Sequence, residues 1–141
     1  MTMPQLNAYL SFDGNCAEAM RFYQKTIGGE IESMITVAQT PMCDQMPEGS
    51  GDRIMHARLR LDQGVLMACD TMHGQSYEGM KGISMTLTYP TAAEATPVFN
   101  KLAEGGKITM PMAKTFWAES FGMLIDRFGT TWLINGGMLE H

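Results

Sequence analysis

The sequence predicts an α+β protein built from two copies of a strand-helix-strand-strand-strand (βαβββ) module. Three observations carry that prediction. Ala17-Glu18-Ala19 is matched by Ala93-Glu94-Ala95 at an offset of 76 (93 minus 17), and Gly28-Gly29 by Gly105-Gly106 at 77 (105 minus 28). Each half closes on a strand hairpin turned at a glycine, Gly64 in the first and Gly129 in the second. Their offset falls to 65 (129 minus 64) because the first half has the longer loop between its second and third strands. Residues 5–12 (QLNAYLSF) and 83–89 (ISMTLTY) alternate as strands ahead of the two helices. Elements recurring in one order mark an internal duplication.

Each element has a local cause. In the first strand Leu6, Ala8, Leu10 and Phe12 take one face, and Asn7, Tyr9 and Ser11 the other. Asn15 followed by Glu18 is close to a capping box and starts the first helix, where Met20, Tyr23 and Ile27 share a face. The glycine pair ends it. A second strand follows at 31–38, and 39–53 (QTPMCDQMPEGSGDR) reads as a long loop, functional or mobile. Strands at 54–61 and 65–70 are joined by Asp62-Gln63-Gly64. Residues 71–82 link the halves. Thr91 and Glu94 make the second capping box, and Ala95, Val98, Phe99 and Leu102 form an apolar stripe. Pro97 lies inside that helix, so a kink or a later start is expected. The final hairpin, LIDRFGTTWLIN (124–135), places branched and aromatic residues on both sides of an Asp-Arg-Phe-Gly turn.

With 141 residues the chain is sized for one domain or two half-domains sharing a core. No apolar run reaches transmembrane length, and MTMPQLNAYLSF lacks a signal peptide's basic start, so a cytoplasmic location is the default. A net charge of −5 without a Lys/Arg cluster argues against nucleic acid, and the acidity reads as solubility. Cys16, Cys43 and Cys69 form no CxxC pair, which argues against a disulfide framework or zinc knuckle. The 15 methionines either fill core gaps or line an adaptable pocket. Leu139-Glu140-His141 reads as the start of an expression-tag scar.

The stretches LNAYLSFDGNCAEAMRFYQKTIGGE (6–30), IMHARLRL (54–61) and AKTFWAESFGMLIDRFGTTWLIN (113–135) resemble the PhnB-like branch of the glyoxalase/bleomycin resistance/extradiol dioxygenase superfamily, also called vicinal oxygen chelate. The resemblance covers nearly the whole chain. It implies one glyoxalase-like domain over 1–138, with modules at about 1–72 and 82–138. In that fold each module curls into a half-open cup, two cups face each other around a cavity, and homodimers are usual.

The superfamily's enzymes hold a divalent metal with four side chains. Carried over by strand register, those positions fall at Asn7, His56, Ser84 and Leu133. Only His56 is a strong ligand; Asn7 and Ser84 are weak donors and Leu133 cannot coordinate. A slip to Trp132 or Ile134 adds nothing. The resemblance therefore implies the family's cup without its metal, and no cofactor is expected.

The same register turns Asn7, Tyr9 and Ser11, then His56, Arg58 and Arg60, then Ser84, Thr86 and Thr88 toward the cavity. Alternation alone also makes one face of any half-exposed strand polar. His56 reads as a general base or remnant ligand, paired with Tyr9 as the acid-base couple, or as a hydrogen-bonded structural histidine. Arg58 is an anion clamp or a solvated charge. Phe116 and Trp117 form an aromatic lid at the cavity mouth or pack in the core or a dimer contact. Cys16, near a helix N-terminus, is a lowered-pKa thiol or a small buried residue. Cys43 falls in the long loop, and His73 in the linker carries little signal.

Three functions compete. One is a small-molecule-binding protein of this cup type, with an anionic or aromatic ligand and no metal. The second is a divalent-metal-dependent lyase, isomerase or dioxygenase. The third is a metal-free enzyme using His56 and Tyr9. Sequences resembling this one often carry the label demethylubiquinone methyltransferase. Here there is no Gly-rich strand-to-helix turn of the dinucleotide or S-adenosylmethionine kind and no doubly wound pattern.

Overall fold

The computed structural model describes residues 4–41, 51–71 and 76–139. The chain divides into two compact units, Met1–Gly79 and Met80–His141. Each is one mixed sheet covered on one side by a single helix.

The first unit contains β1 (Ala8–Phe12), α1 (Cys16–Ile27), β2 (Glu30–Thr36), a short 3-10 turn (Val37–Gln39), β3 (Ile54–Leu61) and β4 (Gly64–Asp70). Its strand order is β1-β4-β3-β2, with β1 parallel to β4 and the other neighbours antiparallel. The second unit contains β5 (Met85–Tyr89), α2 (Ala92–Ala103), β6 (Lys107–Ala113), β7 (Ala118–Ile125) and β8 (Thr131–Met138). Its order, β5-β8-β7-β6, with β5 parallel to β8, repeats the first. The duplication read from the sequence is thus a duplication of topology.

Alternation decides which side of each sheet the helix covers. Leu10 and Phe12 of β1, Ala57 and Leu59 of β3, and Leu66 and Ala68 of β4 are buried, as are Cys16, Ala19, Met20 and Tyr23 of α1. In the second unit Ala95, Phe99 and Leu102 of α2 are buried with Leu124, Trp132 and Ile134. Burying such side chains is the main favourable term, about 1.5–3 kcal/mol for each large one.

The repeated glycine pairs have a packing reason. A Cβ on Gly29 would stand 2.5 Å from the Arg60 carbonyl oxygen, and one on Gly106 would overlap the Ile125 carbonyl oxygen. In both units the chain leaving the helix therefore passes directly over the backbone of the third strand, where no larger residue fits.

Two buried carboxylates fix the connections. Asp70 Oδ1 accepts from the Gly14 and Cys16 amides at 2.8 and 3.0 Å, and its Oδ2 from the Ile54 amide at 2.8 Å. The expected Asn15 cap is corrected here: its side chain makes no capping hydrogen bond, and Asp70 of β4 satisfies the Cys16 donor instead. Asp126 Oδ1 accepts from the Phe128 and Thr130 amides at 2.9 and 3.0 Å, and Oδ2 from Trp132 Nε1 at 2.8 Å. With Gly129 at φ +93, this carboxylate builds the Asp-Arg-Phe-Gly turn.

Other boundaries differ modestly. β1 starts at Ala8, so Asn7 lies just ahead of the strand, and β5 starts at Met85, so Ser84 does too. α2 starts where its capping box predicts, with Thr91 Oγ1 accepting from the Glu94 amide at 3.1 Å, and it continues through Pro97; the later start is not seen. The readings of Cys43 and His73 lie outside the described residues.

Candidate functional site

The side of each sheet away from its helix carries the polar residues. In the first unit, β1 places Tyr9 and Ser11 there, exposed between buried Leu10 and Phe12. On β3, half-buried His56 and Arg58 alternate with buried Ala57 and Leu59. On β4, half-buried Met67 and Cys69 alternate with Leu66, Ala68 and Asp70. Register brings these together: Tyr9 lies beside Met67 and Ser11 beside Cys69, while Arg58 lies on the other side of Met67.

The centre of this face is a pair that is 47 residues apart in sequence: Tyr9 Oη and His56 Nδ1 are 3.3 Å apart. Their ring centroids lie 5.9 Å apart, tilted by 38°. Burial, reinforced by the charge and hydrogen bond of Cys69, pushes the Tyr9 phenol up to about 12. Tyr9 therefore stays protonated at neutral pH, and its hydroxyl can donate to His56 Nδ1 in the tautomer that leaves that nitrogen as an acceptor. The arrangement offers a hydrogen-bond donor and a nearby proton acceptor to a molecule on the face.

Toward the β2 edge the charges are internally paired. Arg58 Nε donates to Glu32 at 3.0 Å; Arg60 donates to the same carboxylate at 3.1 Å and to Glu30 at 2.8 Å. A β-bulge between Ile31 and Ser33 brings Glu32 to this face. Sharing Glu32 weakens Arg58 as an anion clamp, since part of its fork is already engaged. Glu32 and Cys69 are members of this face that the sequence reading missed. Cys69 was findable, because Val65, Met67 and Cys69 alternate against a buried set; Glu32 was not, because a bulge changes its side.

In the second unit the corresponding face carries Thr86 and Thr88 on β5, both exposed, and Ser84 just before it. Trp117 Nε1 donates to Asn135 Oδ1 at 3.2 Å, and Asn135 Nδ2 to Thr88 Oγ1 at 3.4 Å. Phe116, 78% exposed, meets Trp117 edge-on at 4.8 Å, and Trp117 meets Phe121 at 5.1 Å. Asn135 was also missed, although it shares a face of β8 with Leu133, two residues before it. Of the predicted site residues, then, Tyr9, Ser11, His56 and Arg58 share one face of the first unit, with Asn7 at its margin. Ser84, Thr86 and Trp117 belong to the second unit.

Cys16 is fully buried, and burial, with the Asp70 charge adding, pushes its thiol well above the ordinary range. The helix N-terminus does not activate it. The residues at the family's metal positions do not fit a divalent ion: Leu133 has no donor atom, and Asn7 and Ser84 are neutral and weak. Among the described residues no group of three or more His, Cys, Asp or Glu could hold one.

Both the topology and the sequence have relatives. The model of the family described as 3-demethylubiquinone-9 3-methyltransferase matches residues 4–135. Protein YjdN of Escherichia coli (strain K12) is 35% identical, covering 92% of this chain and 93% of its own. PA1353 from Pseudomonas aeruginosa is 45% identical with a TM-score of 0.87, over 94% of this chain and 97% of its own. The PhnB protein from Bacillus cereus is 28% identical with a TM-score of 0.76, over 94% and 98%. A glyoxylase/bleomycin resistance protein/dioxygenase domain from Frankia sp. EAN1pec is 11% identical with a TM-score of 0.65, over 97% and 99%, and shares the fold. The fold is that of the glyoxalase/bleomycin resistance superfamily. Within it, this chain belongs to the PhnB-like family that the 3-demethylubiquinone-9 3-methyltransferase model describes.

Proposed function

We propose that the protein binds a small organic molecule on the helix-free face of its first sheet, with Tyr9 and His56 as the contacting pair and no metal in the site. The observation that carries this reading is the 3.3 Å contact between Tyr9 Oη and His56 Nδ1 on a half-exposed face. A hydroxyl held protonated beside an imidazole recognises a carbonyl or carboxylate oxygen. The half-buried Met67 and the Tyr9 ring supply apolar surface for an aromatic or aliphatic body. Asn7, Ser11 and Arg58 border the same face and extend its polar rim. The working form is a homodimer in the cytoplasm, and Ser84, Thr86 and Trp117 line the second unit's own helix-free face.

The family description names a methyl transfer. The mixed sheets here differ from the doubly wound sheet that binds nucleotides at its strand ends, which supports binding, rather than S-adenosylmethionine chemistry, as the primary reading. The test is a thermal-shift screen of tag-free protein against small carboxylates, phosphonates and planar aromatic compounds. A ligand at a hundredfold excess over its Kd stabilises by about 2.7 kcal/mol. The expected hit raises Tm in the wild type and fails to do so in Tyr9→Phe and His56→Ala. Hits that persist undiminished in both variants place binding elsewhere.

A further inference from the structure

Cys69 has no assigned task, yet it stands on an inner strand of this face, half-buried and outside any disulfide. It lies beside Ser11 of β1. The antiparallel register of β3 and β4, which runs from Leu61–Gly64 to Ala57–Ala68, sets it opposite His56 when continued by one residue. Tyr9 stands two residues before Ser11 on the same face of β1. A nucleophile, an imidazole and a hydroxyl donor thus meet on one open surface, although they come from three strands. The other described cysteine, Cys16, is sealed in the core.

We propose that Cys69 is a nucleophile that adds to α,β-unsaturated carbonyl compounds, with His56 accepting the thiol proton and Tyr9 hydrogen-bonding the carbonyl oxygen. This rests on reading the face as a small-molecule site and names the ligand class. When a carbonyl oxygen takes the Tyr9 hydrogen bond, His56 Nδ1 loses its donor and its lone pair becomes available to the thiol. The sulfur then bonds to the β-carbon, the C=C π pair moves to form the enolate, and Tyr9 stabilises the charge growing on oxygen. The proton held by His56 returns to the α-carbon. The product is a saturated thioether; nothing is oxidised or reduced, no group leaves, and His56 ends neutral. Conjugate addition suits these three groups better than acyl transfer, which also needs a protonated leaving group and a water.

The experiment uses the full chain in a Cys43→Ser background with N-ethylmaleimide as the enone probe and iodoacetamide as an alkylating control without a carbonyl acceptor in conjugation. Peptide mapping identifies the modified cysteine, and rates are followed against probe concentration. The expected result is labelling of Cys69 by maleimide with a saturating rate. His56→Ala or His56→Gln should slow it about tenfold or more. Tyr9→Phe should lower the maleimide-to-iodoacetamide rate ratio at least fivefold. Labelling at the rate of a free small thiol, equal in all variants that keep the wild-type melting temperature, overturns the proposal, as does an unlabelled Cys69. Thermal-shift hits retained by Cys69→Ser would then show that the binding reading survives without the covalent step; their absence from the wild type as well would sink both.

Discussion

Asp70 and Asp126 each give both carboxylate oxygens to donors that the backbone could not otherwise satisfy. Removing such a partner leaves buried N–H groups unpaired, at about 1–3 kcal/mol each. Asp70→Ala orphans the amides of Gly14, Cys16 and Ile54, so a loss of about 3–5 kcal/mol is expected in urea denaturation, with Asp70→Asn intermediate. A change under 1 kcal/mol would mean that water replaces the carboxylate. Tyr9 makes a second residue-level prediction. Its folded pKa of about 12 lies above the ordinary value near 10, so its contribution to stability is complete below pH 10 and is lost as pH rises through about 12. Ultraviolet titration to pH 10.5 should therefore give equal phenolate absorbance in wild type and Tyr9→Phe; a step near pH 10 missing from the variant would contradict it. At this scale the sequence is legible where partners are close. Thr91 caps Glu94 three residues on, as its spacing predicts. Asp70 meets Gly14 across 56 residues, and no local pattern announces it.

At the scale of elements, both helices, both hairpins and the alternation of most strands were readable, because each rests on periodicity or a short turn motif. The edges were less so. β1 and β5 begin later than their alternation suggests, since a strand ends where its neighbour stops pairing rather than where its own pattern does. The bulges in β2 and β6 shift register in ways that composition does not encode, and that is why Glu32 joined the Arg58 face unannounced. The glycine pairs were read as helix stops, which explains only part of them. Gly106→Ala would drive a methyl group into the Ile125 carbonyl and within 2.9 Å of the Asp126 backbone. It should cost about 1–3 kcal/mol, with the first and second units' unfolding compared by hydrogen exchange. Protection lost around α2 and β7 but kept in α1 and β3 is the expected pattern; a uniform loss would mean that the two units unfold together.

At the scale of the whole molecule, two modules with little residue-by-residue identity reach one topology. Only the turn glycines, the helix starts and the alternation need to recur for that. The faces away from the helices are free to diverge, and they have: Tyr9, His56 and Cys69 occupy one, and Trp117, Asn135 and Thr88 the other. The fold was therefore legible from recurring positions, whereas the site depends on which diverged residues meet across strands. Register recovered Tyr9 with His56 and missed Cys69 and Asn135. Metal content tests the central claim most directly, namely that this family member keeps the superfamily scaffold and uses a Tyr9–His56 face in place of a metal centre. Tag-free protein purified without chelator should carry Zn, Ni, Mn and Fe far below one ion per chain and show no Tm shift when these are added. One bound ion per chain, lost together with its stabilisation in His56→Ala, would contradict the claim and return the protein to the metal-dependent enzymes of its superfamily.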